Sequence, residues 1–91
     1  MNRRVTIASA VGLHARPAAM FAKTAAGQSS PVTIAKVVDG QPGGAVDATS
    51  VLALMGLGAM HGDEVELAGD DESALAELAE LLSSDHDAEP A

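Results

Sequence analysis

Gly12-Leu13-His14-Ala15-Arg16-Pro17-Ala18 joins two segments of different hydrophobic period. Upstream, Arg4-Val5-Thr6-Ile7-Ala8 places Val5 and Ile7 on one face by alternation, which predicts a half-buried strand. Downstream, Ala18, Phe21, Ala22 and Ala25 recur at helical spacing, which predicts a helix from Pro17 to Ala26. Pro17 suits a first helical turn because its missing N–H would have had no partner there, and Gly27 suits the stop.

Outward from that junction the alternation of elements continues. Val32 to Val37 is β-branched and reads as a second strand, Asp39-Gly40-Gln41-Pro42-Gly43-Gly44 as a longish hairpin loop, and Ala45 to Asp47 as a short third strand. Ser50 is placed to cap a short apolar helix, Val51 to Met55. Glycines 56, 58 and 62 interrupt the chain before Glu64-Val65-Glu66-Leu67 alternates as a fourth strand. Asp70-Asp71-Glu72 then crowd the start of a last helix, where carboxylates favour the positive end of the dipole, and Leu75, Leu78, Ala79 and Leu82 form its inward face. The order β-α-β-β-α-β-α predicts an α+β sandwich: a mostly antiparallel sheet of four strands with three helices packed on one face. One domain over residues 1–83 and a polar, frayed tail over 84–91 are expected.

Composition narrows the chemistry. The chain has 91 residues, 13 acidic and 5 basic, for a formal net charge of −8. A domain of this length buries only about 60 to 65% of its unfolded surface, enough for one thin core. That acidic balance argues against nucleic acid, whose phosphates demand lysines and arginines, and one aromatic, Phe21, makes no base-stacking platform. No run approaches a membrane span of about 20 apolar residues, and no secretory leader is evident, so a cytoplasmic location is expected. With no cysteine, covalent chemistry falls to His, Ser, Thr, Lys or a carboxylate. The charge is segregated: all five basic residues lie within the first 36 positions and all 13 acids from Asp39 onward.

His14-Ala15-Arg16-Pro17 assembles what a phosphoryl group needs. Neutral imidazole is a nucleophile at physiological pH, first-turn N–H groups are anion donors, and a guanidinium offers a planar fork to phosphate oxygens. The partial positive charge at a helix start disfavours imidazolium and then stabilises an attached dianion. His61, in a glycine-flanked turn, and His86, in the acidic tail, fit no metal spacing and read as solvated side chains.

Gly12-Leu13-His14-Ala15-Arg16-Pro17-Ala18 resembles the active-site sequence of the HPr family, the histidine-containing phosphocarriers of the bacterial sugar phosphotransferase system. Ser50-Val51-Leu52-Ala53-Leu54-Met55-Gly56-Leu57-Gly58, followed by Gly62-Asp63-Glu64, resembles that family's regulatory-serine helix and the entry to its last strand. The resemblance implies that His14 accepts a phosphoryl group on Nδ1 from phosphorylated enzyme I and passes it to the IIA component of a sugar permease. It also implies that Arg16 and the backbone amides of Ala15 and Arg16 hold the phosphate, with Pro17 at the helix start. The implied protein has the family's open-faced β-sandwich, a four-stranded antiparallel sheet covered on one face by three helices, and is a monomeric carrier without metal or cofactor, a recycled substrate of phosphotransferases with no turnover alone. Ser50 reads as an N-cap; by the resemblance it is also a candidate for regulatory phosphorylation by a serine kinase. Leu52 and Met55 are candidate docking residues, with Val51 and Leu54 turned inward. The alternative function is a regulatory module of the same fold, or a carrier of a nitrogen or dihydroxyacetone branch, whose partner binding is switched by phosphorylation.

Overall fold

A computed structural model describes residues 1–8 and 15–83, with Ala15 to Pro17 described by their backbone alone. Its strands are β1 (Asn2–Thr6), β2 (Val32–Val38), β3 (Gln41–Pro42), β4 (Val46–Asp47) and β5 (Glu64–Gly69). Its helices are α1 (Ala15–Ala26), α2 (Val51–Gly56) and α3 (Glu72–Ser83). The sheet is antiparallel throughout, in the order β1-β5-β2-β3, with β4 also paired to β2.

Alternation decides which way the sheet faces. The pairs Ile34↔Leu67 and Val5↔Val65 put these apolar side chains on one side, where Ile7, Phe21, Leu54, Leu75 and Leu78 from the connecting segments and helices complete the core. On the opposite side, Arg4 lies across from Glu66. Its guanidinium sits 3.4 Å from Glu66 and 3.8 Å from Glu64, and donates to the Gly40 carbonyl at 3.2 Å. Three helices over one face of an antiparallel sheet is the expected α+β architecture. The inward faces read from helical spacing are buried: Ala18, Phe21, Ala22 and Ala25 on α1, and Leu75, Leu78, Ala79 and Leu82 on α3, joined by Ala74.

The hairpin differs from its reading. Asp39 and Gly40 both have positive φ, 53° and 79°, and Val38 pairs with Gln41 across them, so the connection is a two-residue turn and not a long loop. Asp-Gly is the dipeptide that a type I′ turn favours, because both central residues must enter the left-handed region. The return strand is broken in two. Pairing runs Val37↔Pro42 on one side and Ile34↔Val46 on the other, so residues 43–45 oppose only 35 and 36, and the Gly43 N–H still reaches the Lys36 carbonyl at 2.8 Å. This is a β-bulge, and it makes five strands where four were expected, two of them sharing one edge. Pro42 is tolerated there because an edge position leaves its missing N–H without consequence.

Smaller differences lie at element ends. The first strand is Asn2–Thr6 and not Arg4 to Ala8, because Ile7 and Ala8 bond to turns and to α3 instead of continuing the ladder. Helix α1 starts at Ala15, two residues before Pro17, and β5 runs on to Gly69. The tail from residue 84, with His86, lies outside the described residues.

Candidate phosphoryl-transfer site

His14 lies outside the described residues, as do the side chains of Ala15, Arg16 and Pro17; the structure describes what frames them. On the C-terminal side, α1 begins at Ala15, the residue that follows His14 in the chain. Its first-turn N–H groups have no partner within the helix by geometry, Pro17 contributes none, and no acidic residue occupies that turn. Ala18 and Phe21 anchor the helix in the core at no measurable exposure.

On the N-terminal side the chain is pinned at Ile7 and Ala8. The Ile7 N–H donates to the Asp63 carbonyl at 2.8 Å, and its own carbonyl accepts from the Gly62 N–H at 2.9 Å. Gly62 turns with φ 87°, a conformation that glycine adopts without strain. The Ala8 N–H donates to the Leu82 carbonyl at the end of α3 at 3.0 Å. The Ala8 carbonyl lies 3.2 Å from Nδ1 of His61, and since a carbonyl only accepts, that nitrogen carries the proton. The sequence reading of His61 as merely solvated is therefore incomplete: the ring is exposed but bonded. No spacing rule relates residue 61 to residue 8, so pattern reading offered no signal for it.

The turn around His61 is itself braced. The Asp63 carboxylate accepts from the Met60 N–H at 2.9 Å and faces Lys36 Nζ at 3.5 Å. The Met60 hydrogen bond, with Lys36 adding to it, holds the Asp63 carboxyl below the usual carboxylate range. Lys36 also donates to the Gly58 carbonyl at 3.3 Å. Two of the five basic residues, Arg4 and Lys36, thus face acids and carbonyls of their own fold.

On α2, Ser50 is the N-cap: its backbone is extended and its hydroxyl accepts from the Ala53 N–H at 3.2 Å. Just before it, Asp47 accepts from the N–H and hydroxyl of Thr49 at 2.9 and 2.8 Å, and these bonds hold its carboxyl below the usual range. Leu54 is wholly buried and Val51 packs against the core, whereas Leu52 and Met55 stand exposed, as the sequence implied. Helices α1 and α2 pack together, Phe21 of the one and Leu54 of the other sharing the core. Among the described residues no cluster of His, Asp and Glu is arranged to hold a metal ion, and no helix is long and apolar enough to cross a membrane.

A helix start that closely follows a histidine, on an open-faced α+β sandwich, is the architecture of a phosphoryl carrier, and the comparisons agree with it. The family described as "PTS HPr component phosphorylation site" matches residues 1–84. The phosphocarrier protein HPr of Streptomyces coelicolor is 52% identical over 80 residues, covering 88% of this chain and 82% of that protein. The phosphocarrier protein HPr of Haloferax volcanii is 40% identical over 87 residues, 92% of this chain and 94% of that one. The crystal structure of a phosphocarrier protein HPr from Bacillus anthracis superposes with a TM-score of 0.79 at 30% identity, over 90% of this chain and 95% of that one. The chain belongs to the PTS HPr family, and with that membership goes the family's general role, phosphoryl carriage among the proteins of the phosphotransferase system.

Proposed function

We propose that His14 is the phosphoryl acceptor, charged by phosphorylated enzyme I and discharged to a IIA component. The observation that carries this reading is the start of α1 at Ala15, directly after His14 in the chain, with no acid of its own in the first turn. In the forward step the lone pair of the neutral imidazole attacks phosphorus. A P–N bond forms at His14, the bond to the donor breaks, and its electron pair stays with the donor. Arg16 and the Ala15 and Arg16 amides neutralise the dianion that results, with Pro17 fixing the helix start.

A carrier must also let go. Moderate donors at a helix terminus suit onward transfer better than a buried cage, because holding the bound group too tightly would slow its release. Leu52 and Met55, exposed on α2, supply apolar surface for the partners to cover. For Ser50, the hydroxyl-to-Ala53 bond supports the capping role.

Incubation with phosphoenolpyruvate and enzyme I tests the proposal. One phosphate per chain is expected, labile to acid and stable to base, and absent from His14→Ala. Undiminished labelling of that variant would remove His14 from the mechanism.

A further inference from the structure

All four methionines of the chain are on its surface: Met1, Met20, Met55 and Met60 are 64, 39, 41 and 48% exposed. Methionine ordinarily fills irregular gaps in cores, yet the largest fully buried side chains here are Phe21 and aliphatic residues. Cysteine, tryptophan and tyrosine are absent, so the thioether sulfurs are the most readily oxidised atoms the protein has. Met55 stands one helical turn after Leu52, the most exposed large apolar residue among the described residues, at 84%.

We propose that Met55 is a reversible oxidation site through which peroxides weaken the docking of phosphotransferase partners on α2. The inference rests on the proposed docking role of Leu52 and Met55. In the reaction the peroxide O–O bond breaks and an S–O bond forms at the methionine sulfur. The sulfur loses two electrons as sulfoxide, and hydrogen peroxide is reduced to water. A thiol-dependent sulfoxide reductase reverses it, the oxygen leaving as water while two thiols become a disulfide. The sulfoxide is polar, so covering it with a partner's apolar surface requires stripping water from a strong acceptor. Because the interior holds no methionine, oxidation leaves the packing around Leu54 and Phe21 untouched. The modified chain stays folded and loses its grip on partners.

The experiment uses the whole chain treated with hydrogen peroxide. Peptide mass mapping should find one added oxygen on Met55, while Tm moves by no more than about 2 °C, the shift of a few tenths of a kcal/mol in a domain this small. The KM for enzyme I in phosphoryl transfer should rise about tenfold, equivalent to about 1.4 kcal/mol of docking, with kcat at saturation retained, and reductase treatment should restore it. Met55→Leu should show the same KM before and after peroxide, whatever its starting value, whereas Met60→Leu should remain sensitive. An unoxidised Met55, a collapse of Tm on oxidation, an unchanged KM in the oxidised protein, or equal sensitivity of Met55→Leu would each overturn the proposal. Untreated protein that accepts no phosphate would instead overturn the carrier reading at His14, and this proposal with it.

Discussion

Helices α1 and α3 have the same length, 12 residues, but open in opposite ways. Helix α3 fills its own N-terminus: the Asp71 carboxylate accepts from the Ser73 N–H at 3.0 Å, the Asp71 carbonyl accepts from Leu75, and Glu72 adds a charge in the first turn. Helix α1 has no acid there. One terminus is capped by the chain's own carboxylate, and the other has no acid in its first turn, which suits the anion proposed to bind there. The difference teaches that the charge at a helix start depends as much on which side chains are withheld as on which are present.

That contrast can be broken most severely at α1. Ala15→Glu adds a carboxylate to the helix turn proposed to hold the phosphate; two like charges about 4 Å apart repel by about 1 to 4 kcal/mol in solvent-exposed surroundings. Phosphoryl transfer from enzyme I should fall about tenfold or more, with Tm unchanged or slightly raised. An unimpaired rate would mean that the first turn of α1 is not where the phosphate sits. At α3 the opposite change should act on stability alone. Asp71→Ala removes the cap at about 1 kcal/mol, a fall in Tm of about 4 to 8 °C, with transfer kinetics intact.

The start of α2 lies between these cases. Ser50→Ala should lower stability by about 1 kcal/mol or somewhat less in denaturant titration, while Ser50→Asp, which also caps, should restore it. If Ser50→Asp folds normally but raises the KM for enzyme I, the charge acts on docking beside Leu52 and Met55 and not on the fold. The smallest effect expected is in acid. Asp47 and Asp63 have carboxyls held below their ordinary value of 3.8. Their ionised forms therefore favour the folded state above pH 3.8, and that contribution is lost as the pH falls through 3.8 to the lowered folded values. Asp63→Asn should flatten the acid limb of a Tm-against-pH curve; a parallel curve would show that the Met60 and Lys36 contacts carry no proton linkage.

Much of this was legible from period and composition. Ala18, Phe21, Ala22 and Ala25 announced the buried face of α1, Leu75 to Leu82 that of α3, and Ser50 its cap, because each depends on neighbours within a turn or two. The hairpin was misread for a local reason: Gln41-Pro42-Gly43-Gly44 has the composition of a loop, and only pairing shows that an edge position with a bulge accommodates both the proline and the glycines. The segregation of charge along the sequence does not persist in space, and the reason is distant. Arg4 and Lys36 belong to a basic third of the sequence, yet Glu64, Glu66 and Asp63 come back beside them across the sheet. At the site, the motif named His14 and Arg16, while the bonds from Asp63, Gly62 and His61 to Ile7 and Ala8 link residues more than 50 positions apart, where no periodicity reaches.

The position of β5 in the sheet also governs how the chain is made. Strand β1 pairs only with β5, and Asn2 finds its partner at Ala68. A ribosome working at about 5 to 20 residues per second therefore releases β1 several seconds before the strand that will hold it. During that interval β2 and β3 can close their two-residue turn, because everything they need is local. The first strand translated is among the last secured, and the Ile7–Ala8 anchor that precedes the His14 motif forms only once Gly62, Asp63 and Leu82 have emerged. A nascent chain cut short before β5 would carry the His14 motif without the frame that presents it.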